Sequence, residues 1–299
     1  MKKYLIRAVE LALVLCILFS AYKIFDYYHS NQSFQADQAE FVQAMERAEA
    51  ASPAATPPEN PAEPAAKEET PTLPLPAKSA EAKSEETASA PASETREAAR
   101  EEAPAPAAEK ARTEAAPASS KNAIRSLKDR YPDVVGRIRV PGTAVDFPVV
   151  QGEDNAFYLD HNYKGEYHPF GAVFMDARDA ADFSDYNTVL YGHNVRSGHV
   201  FHELVQYGDE EFRAAHPLIY VDTPRGQMAY RVVAAYDVSA YADYRKPQYS
   251  GEDKARFLSR IDAENLLPYT MPQNEKILTL STCSDRDERM VIHAVRTES

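Results

Sequence analysis

The sequence predicts a mainly β domain with added helices, in which eight strands close into a barrel within residues 122–299. Eight short runs rich in β-branched and aromatic residues follow one another there, each bounded by turn residues. One segment with an apolar stripe at helical spacing separates the sixth run from the seventh. A domain of this size is large enough to bury one apolar core.

The elements are predicted in the following order. A helix at 122–131 opens the domain and ends where a proline follows. The strands are predicted at 135–140, 144–150, 171–175, 187–191, 218–222, 228–238, 277–282 and 289–295. The inserted helix begins after Ser250 and carries Phe257, Leu258 and Ile261 on its apolar side.

Residues 1–30 predict a membrane anchor with a cytoplasmic tip. Three cations precede an apolar run at 8–25 that is nearly long enough to cross a bilayer, although Glu10 and Lys23 shorten its dry part. This charge pattern predicts a single-pass protein of the cell membrane, with the C-terminal domain on the extracytoplasmic side. A cleaved signal peptide is the alternative, but residues 19–21 match a cleavage site poorly.

Residues 31–121 are predicted to form an extracytoplasmic stalk. The part at 31–49 has enough large apolar residues for a short helix, whereas 50–120 consists mostly of Ala, Pro, Glu, Ser and Thr. Such a composition buries too little apolar surface to offset the entropy of ordering, so this linker is predicted to be disordered. The formal net charge of −13 argues against nucleic acid as a partner.

Cys283 is the candidate nucleophile, at the end of the strand predicted at 277–282. The chain has 2 cysteines, and Cys16 lies in the predicted anchor, so no intramolecular disulfide is expected. A leftover cysteine in an exported protein indicates either intermolecular pairing or a reactive thiol. The alternative is a buried cysteine that acts as a small hydrophobe.

Two further side chains are predicted to reach the same edge of the sheet. The strand at 187–191 leads to His193, and Arg289 opens the strand that follows Cys283. A nearby imidazolium stabilises a thiolate nucleophile and supplies the proton that a leaving amine needs. An arginine presents two N–H donors to a substrate carbonyl and to the oxyanion that forms from it. Cys283, His193 and Arg289 are therefore the candidate catalytic residues.

Several segments around these residues form a known pattern. They are Thr-Leu-Ser-Thr-Cys at 279–283, Arg-Met-Val-Ile-His-Ala at 289–294, Tyr-Gly-His-Asn at 191–194, and the runs 147–152 and 171–176. In this order they resemble class B sortases. The resemblance implies a sortase-type eight-stranded β-barrel and a cysteine transpeptidase. In it, Cys283 is the nucleophile, His193 the acid and base, and Arg289 the oxyanion stabiliser.

The resemblance also assigns Asn155, Leu159, Tyr191 and Ser281 to substrate binding. Core packing explains Leu159 and Tyr191 equally well. The inserted helix resembles the class B elaboration that helps to wall the substrate groove. The acids between the nucleophile and the arginine are expected either to pair with that arginine or to lie in water.

By this resemblance, the enzyme cleaves a sorting pentapeptide similar to Asn-Pro-x-Thr-x after its threonine and joins the acyl group to an amine. The expected partners are surface proteins with a C-terminal sorting signal, and a cell-wall precursor or pilin amine as acceptor. A cysteine hydrolase that uses water, a pilin-polymerising sortase and an inactive binding module are the alternatives. No cofactor and no metal are expected, because His199 and His202 lack a third ligand with convincing spacing.

Overall fold

The computed structural model describes residues 2–51, 117–263, 274–283 and 287–297. All of them belong to one of the two units into which the chain divides. The linker predicted at 50–120 falls mostly on 52–116, outside the described residues, so its disorder stays a prediction.

The described residues form a closed β-barrel. The strands are β1 (Val134–Arg139), β2 (Asp146–Val150), β3 (Val173–Met175), β4 (Asn187–Tyr191), β5 (Asn194–Val195), β6 (His199–Val200), β7 (Leu218–Thr223), β8 (Gly226–Ser239), β9 (Ile277–Cys283) and β10 (Glu288–Thr297). Eight of them close the barrel in the order β1-β2-β3-β4-β9-β10-β8-β7, while β5 and β6 pair separately. The eight-stranded barrel is confirmed, and each predicted strand coincides with one barrel strand.

The parallel pair β4 and β9 positions the site. These two strands are buried on both faces. Leu190 and Leu280 belong to one core cluster, and Ile277 belongs to a second cluster that includes apolar residues of the helix after β8. In their register, Asn187 is opposite Ile277 and Tyr191 is opposite Ser281. Because parallel strands end at the same edge, the residues after β4 and at the end of β9 meet there.

Helix α1 (Lys2–Ala51) is one continuous helix of 50 residues. The sequence predicted a short helix at 31–49 apart from the apolar run, but no glycine or proline interrupts the chain between them. Phe34, Phe41 and Met45 of its C-terminal half are buried against the rest of the unit, whereas most large apolar residues of the N-terminal half are exposed.

The prediction of a membrane anchor at 8–25 is wrong. In the described part of the chain, none of the helices combines the length and the apolar character that a bilayer crossing requires. Glu10 and Lys23 stand within the apolar run, and Asp26 follows it, so charges recur too closely along α1. The predicted single-pass membrane location is corrected by the same finding.

Ion pairs hold the C-terminal half of α1 on the barrel. Lys164 Nζ lies 2.8 Å from a carboxylate oxygen of Asp37 and 2.8 Å from one of Glu40. Arg137 of β1 lies 3.3 Å from Glu49. These contacts flank the buried apolar residues of α1, so this half of the helix packs on the barrel as part of the domain.

The remaining helices cover the barrel. They are α2 (Pro117–Arg130), α3 (Glu210–Ala215), α4 (Gly251–Ala263) and the 3-10 helices Phe157–Leu159 and His202–Gly208. The helix inserted between the sixth and seventh barrel strands is confirmed as α4, which buries Phe257, Leu258 and Ile261. The small elements between β4 and β7 were not predicted, since they are too short to show periodicity.

Candidate active site

Cys283 and Arg289 are brought together by the pairing of β9 and β10. They are directly opposed in the antiparallel register. Side chains of directly opposed residues lie on the same face of a sheet, about 5 Å apart at Cβ. The thiol itself lies outside the described atoms, so the position of Cys283 is that of its backbone.

His193 follows the end of β4. The Gly192 N–H donates to the Ser281 carbonyl (3.2 Å), which ties the turn before the histidine to β9. A Cβ at Gly192 would lie 2.6 Å from the ring of Phe201, so only glycine fits this turn. His193 Nε2 lies 2.7 Å from the Leu159 carbonyl, and since a carbonyl only accepts, Nε2 carries the proton of this bond.

Arg289 is half-buried at the start of β10. Its Nη1 donates to the main-chain carbonyl of Glu288 (2.9 Å). The side chains of Asp287 and Glu288 are exposed to solvent, whereas Asp285 lies outside the described residues. The described acids of this loop therefore lie in water, one of the two outcomes expected from the sequence.

His193 and Arg289 line the same cavity, which has a volume of about 300 Å³. Every described residue proposed for the site lines it, namely Asn155, Leu159, Tyr191, His193, Ser281 and Arg289. Leu159 is 44% exposed, so packing in the core does not explain it. The lining also includes residues that sequence reasoning missed: Phe174, Gly192, Ala240, Tyr244, Arg245 and Thr282.

Behind the cavity, a buried carboxylate orients Tyr191. Asp176 is fully buried and accepts hydrogen bonds from the Tyr191 hydroxyl (2.7 Å) and from the Arg178 guanidinium (2.8 and 2.9 Å). Burial would raise the pKa of Asp176, but hydrogen bonds from Arg178, Tyr191 and Asn155 outweigh it and lower the pKa to about 2. Asp176 is thus an anion at neutral pH.

The described residues that line the cavity include two arginines and no carboxylate. Positively charged side chains in a cavity stabilise a negative charge that develops during a reaction. A family model described as the Sortase domain matches residues 138–297, which is more than half of the chain. The chain belongs to the sortase family.

Its relatives are sortases of class B. A sortase B of Listeria monocytogenes is 30% identical over 189 residues, covering 61% of this chain and 77% of that protein. The structure of a Staphylococcus aureus sortase B-substrate complex is 29% identical with a TM-score of 0.56, covering 60% of this chain and 86% of that one. A Clostridium perfringens sortase B structure is 31% identical with a TM-score of 0.55, covering 58% and 99%. The prediction of a class B sortase, a cysteine transpeptidase, is confirmed.

In this sortase, the second histidine near the site is structural. His293 of β10 is fully buried and lies 2.9 Å from the Tyr236 hydroxyl and 2.9 Å from the Thr279 hydroxyl. Burial, together with the charge of Arg260, lowers the pKa of His293 to about 3, so it stays neutral. It does not line the cavity.

His199 and His202 do not share the face of one helix. His199 lies in β6 and His202 begins a 3-10 helix. His199 Nε2 lies 2.7 Å from Asn31 Oδ1, and His202 Nδ1 lies 2.6 Å from Asn194 Oδ1. Both imidazoles therefore have amide partners.

Half of the residues that sequence reasoning missed come from the 240–250 connection, the segment between β8 and α4. The resemblance assigned part of the groove wall to the inserted helix. In the described structure, Ala240, Tyr244 and Arg245 of the connection line the cavity, and no residue of α4 does. The signal available in the sequence was the insertion itself, which shows where a wall is added but not which of its residues face the cavity.

Proposed function

We propose that Cys283, His193 and Arg289 carry out the transpeptidation of a sorting peptide. The observation that supports this most directly is the register of β9 and β10, which opposes Cys283 to Arg289. The ends of the parallel strands β4 and β9 bring His193 to the same edge. One cavity joins the side chains of the histidine and the arginine.

In the first half of the reaction, the Cys283 thiolate attacks the carbonyl carbon of the substrate threonine. The oxygen becomes an oxyanion, which the Arg289 guanidinium stabilises with charge-assisted N–H donors. The C–N bond then breaks, and the leaving amine takes a proton from His193. A thioester between Cys283 and the threonine remains.

In the second half, an acceptor amine attacks the thioester. His193 removes the proton of the attacking amine, Arg289 again stabilises the oxyanion, and the Cys283 thiolate leaves. The products are a new amide and the free enzyme. Exclusion of water from the cavity by the bound peptide would favour the amine over hydrolysis.

Asn155, Leu159, Tyr191 and Ser281 are proposed to bind the peptide. The two apolar or aromatic side chains offer contact surface, and Leu159 also fixes His193 through its carbonyl. The Ser281 hydroxyl lies 2.9 Å from that of Tyr244, and Tyr191 donates to Asp176. Rigid polar partners of this kind hold a binding surface in place before the substrate arrives.

The proposed substrate is a surface protein with a C-terminal sorting signal similar to Asn-Pro-x-Thr-x, and the proposed acceptor is an amine of a cell-wall precursor or of a pilin. Support comes from the Staphylococcus aureus sortase B, whose structure was determined as a complex with substrate. The residues proposed for the groove line one cavity in this chain.

Mass spectrometry of the full chain with peptides bearing Asn-Pro-x-Thr-x or Leu-Pro-x-Thr-x tests this function. We expect cleavage after threonine, an acyl-enzyme on Cys283, and an amide product when an amine is added. Cys283→Ala should give none of these. A product that stays an acid at every amine concentration would instead identify a hydrolase, and cleavage by Cys283→Ala would refute the assigned nucleophile.

A further inference from the structure

Arg245 places a second guanidinium in the cavity beside Arg289. None of the described lining residues carries a carboxylate, so the two positive charges are not balanced within the lining. The nearest acid in the sequence, Asp243, pairs with Lys246 instead (2.7 Å). Asp176, the buried carboxylate behind the cavity, is occupied by Arg178 and Tyr191.

The backbone that carries Arg245 is fixed by hydrogen bonds to three consecutive carbonyls. The Asn187 side-chain amide donates to the carbonyls of Tyr244 (3.1 Å) and Lys246 (3.0 Å). Arg178 donates to the carbonyl of Arg245 itself (2.9 Å). Because these donors lie on or next to the barrel, the connection is held in one conformation and Arg245 projects from a rigid base.

The guanidinium of Arg245 is positioned but only partly hydrogen bonded. It lies over the ring of Tyr244, 4.7 Å from the centroid, and Nη2 donates to the Ala240 carbonyl. Its Nε is buried and has no hydrogen-bond partner. Because Nε is closed to the cavity, a ligand accepts from the terminal N–H groups of Arg245, whose positive charge no described lining residue balances.

We propose that Arg245 is a specificity-determining residue that binds a carboxylate of one of the two peptide substrates. The inference rests on the proposed transpeptidase function of the same cavity. The carboxylate has two possible sources, an acidic side chain in the sorting peptide or a carboxylate next to the acceptor amine. A guanidinium suits both, since it pairs with carboxylates through parallel N–H donors.

The first arm of the test addresses the sorting peptide. Peptides that differ only by Glu or Gln at each variable position of the signal compete for the enzyme, and mass spectrometry gives the ratio of their kcat/KM values. If the peptide supplies the carboxylate, the wild type should favour Glu about tenfold at low salt, and the preference should shrink as salt is added.

The second arm addresses the acceptor. Glycylglycine and glycylglycinamide have similar amines, because a peptide unit separates the amine from the group that differs, so their competition for one acyl-enzyme isolates the carboxylate of the acceptor. If the acceptor supplies the carboxylate, glycylglycine should be favoured about tenfold at equal concentrations of free amine. A ratio near one in both arms would overturn the proposal.

Three variants assign the preference to a residue. Arg245→Gln should bring the ratio close to one, whereas Arg245→Lys should keep part of it because the charge remains. Arg225→Gln is the matched control, since Arg225 is exposed, pairs with Asp182 and does not line the cavity. An unchanged ratio in Arg245→Gln would overturn the proposal and leave Arg289 as the source of the preference.

Binding measurements separate this inference from the proposed function. Calorimetry with Cys283→Ala measures the affinity for the same peptides and amines without turnover. The difference in affinity between this variant and Cys283→Ala/Arg245→Gln gives the contribution of Arg245 to binding. If the wild type cleaves none of the peptides, the proposed function fails, while the affinities still decide about Arg245. If it cleaves them with no preference for charge in rate or affinity, only the role of Arg245 fails.

Discussion

One wall of the cavity consists of the ends of β4, β9 and β10, and another consists of the 240–250 connection. The strand-end wall is held by main-chain hydrogen bonds of the barrel, which oppose Cys283 to Arg289. The 240–250 connection lies outside the strands. Main-chain hydrogen bonds hold its two ends, from Ala240 to Asp287 (2.8 Å) and from Asn187 to Pro247 (3.0 Å), and the Asn187 side chain holds the carbonyls of Tyr244 and Lys246 between them. The barrel thus holds the residues proposed to react, whereas the connection carries Arg245, the residue proposed to determine specificity, and depends on a few side chains for its position.

The largest effect is expected from Arg289→Lys in the strand-end wall. Lysine keeps the positive charge but loses the pair of N–H donors proposed to hold the oxyanion, so kcat should fall about 100-fold while KM changes little. Steady-state cleavage of the sorting peptide measures both. Arg296→Lys on the same strand is the control and should retain activity. A fall in kcat of less than about threefold would show that Arg289 does not stabilise the oxyanion.

A smaller effect is expected from Asn187→Ala, which releases the connection wall. The substitution removes two hydrogen bonds to main-chain carbonyls and one that the amide accepts from the Thr279 hydroxyl (2.6 Å). We expect the free energy of unfolding to fall by about 2–4 kcal/mol, because the groups left behind are buried. Chemical denaturation measures this change.

The same variant should lower kcat/KM about tenfold, because the carbonyls on both sides of Arg245 lose their donor and only Arg178 still holds the backbone of Arg245. Gln248→Ala is the control, because Gln248 lies in the same connection but is exposed and bonds only to Asp185 (2.7 Å) among the described contacts. If kcat/KM is unchanged in Asn187→Ala at a temperature where the variant is folded, the hydrogen bonds of the Asn187 side chain are not required to position the connection for catalysis.

The smallest effect is expected from Tyr191→Phe, at the border of the two walls. The variant removes one donor to Asp176, which should lower the free energy of unfolding at pH 7 by about 1 kcal/mol. The pKa of Asp176 is about 2 in the folded protein and about 3.9 in an unfolded chain. The stability from this anion is therefore fully present above about pH 4 and is lost as the pH falls toward 2.

Denaturation at several pH values checks the sign of this prediction. The difference between Tyr191→Phe and the wild type should be constant from pH 7 to about pH 4 and should shrink below it. Tyr167→Phe is the control, since Tyr167 is 72% exposed. A difference that does not depend on pH would mean that the hydroxyl acts through packing and not through the Asp176 anion.

Much of the barrel was predictable from the sequence, because each strand carries a local pattern. The run at 187–191 shows this, since its apolar and β-branched residues are buried as expected between two cores. The opposition of Cys283 and Arg289 followed from one short loop between two such runs. Local patterns of this kind are read directly from alternation and turn residues.

The N-terminal region was predicted less well. The apolar run at 8–25 was interpreted as a membrane anchor. It is part of a 50-residue helix, and none of the described helices is long and apolar enough to span a membrane. Hydropathy alone did not show that Phe34, Phe41 and Met45 pack on the barrel. The sequence shows that one face of a helix is apolar, but it does not show which residues pack against that face.

The sequence by itself determined the class of the enzyme, the barrel and the candidate residues Cys283, His193 and Arg289, because motifs and strand patterns are local. Only the tertiary structure decided that Tyr244 and Arg245 line the same cavity. That placement depends on hydrogen bonds from Asn187 and Arg178 to residues 57 to 67 positions away. A side chain that donates to a distant main-chain carbonyl leaves no periodic pattern, since every residue type offers the same carbonyl.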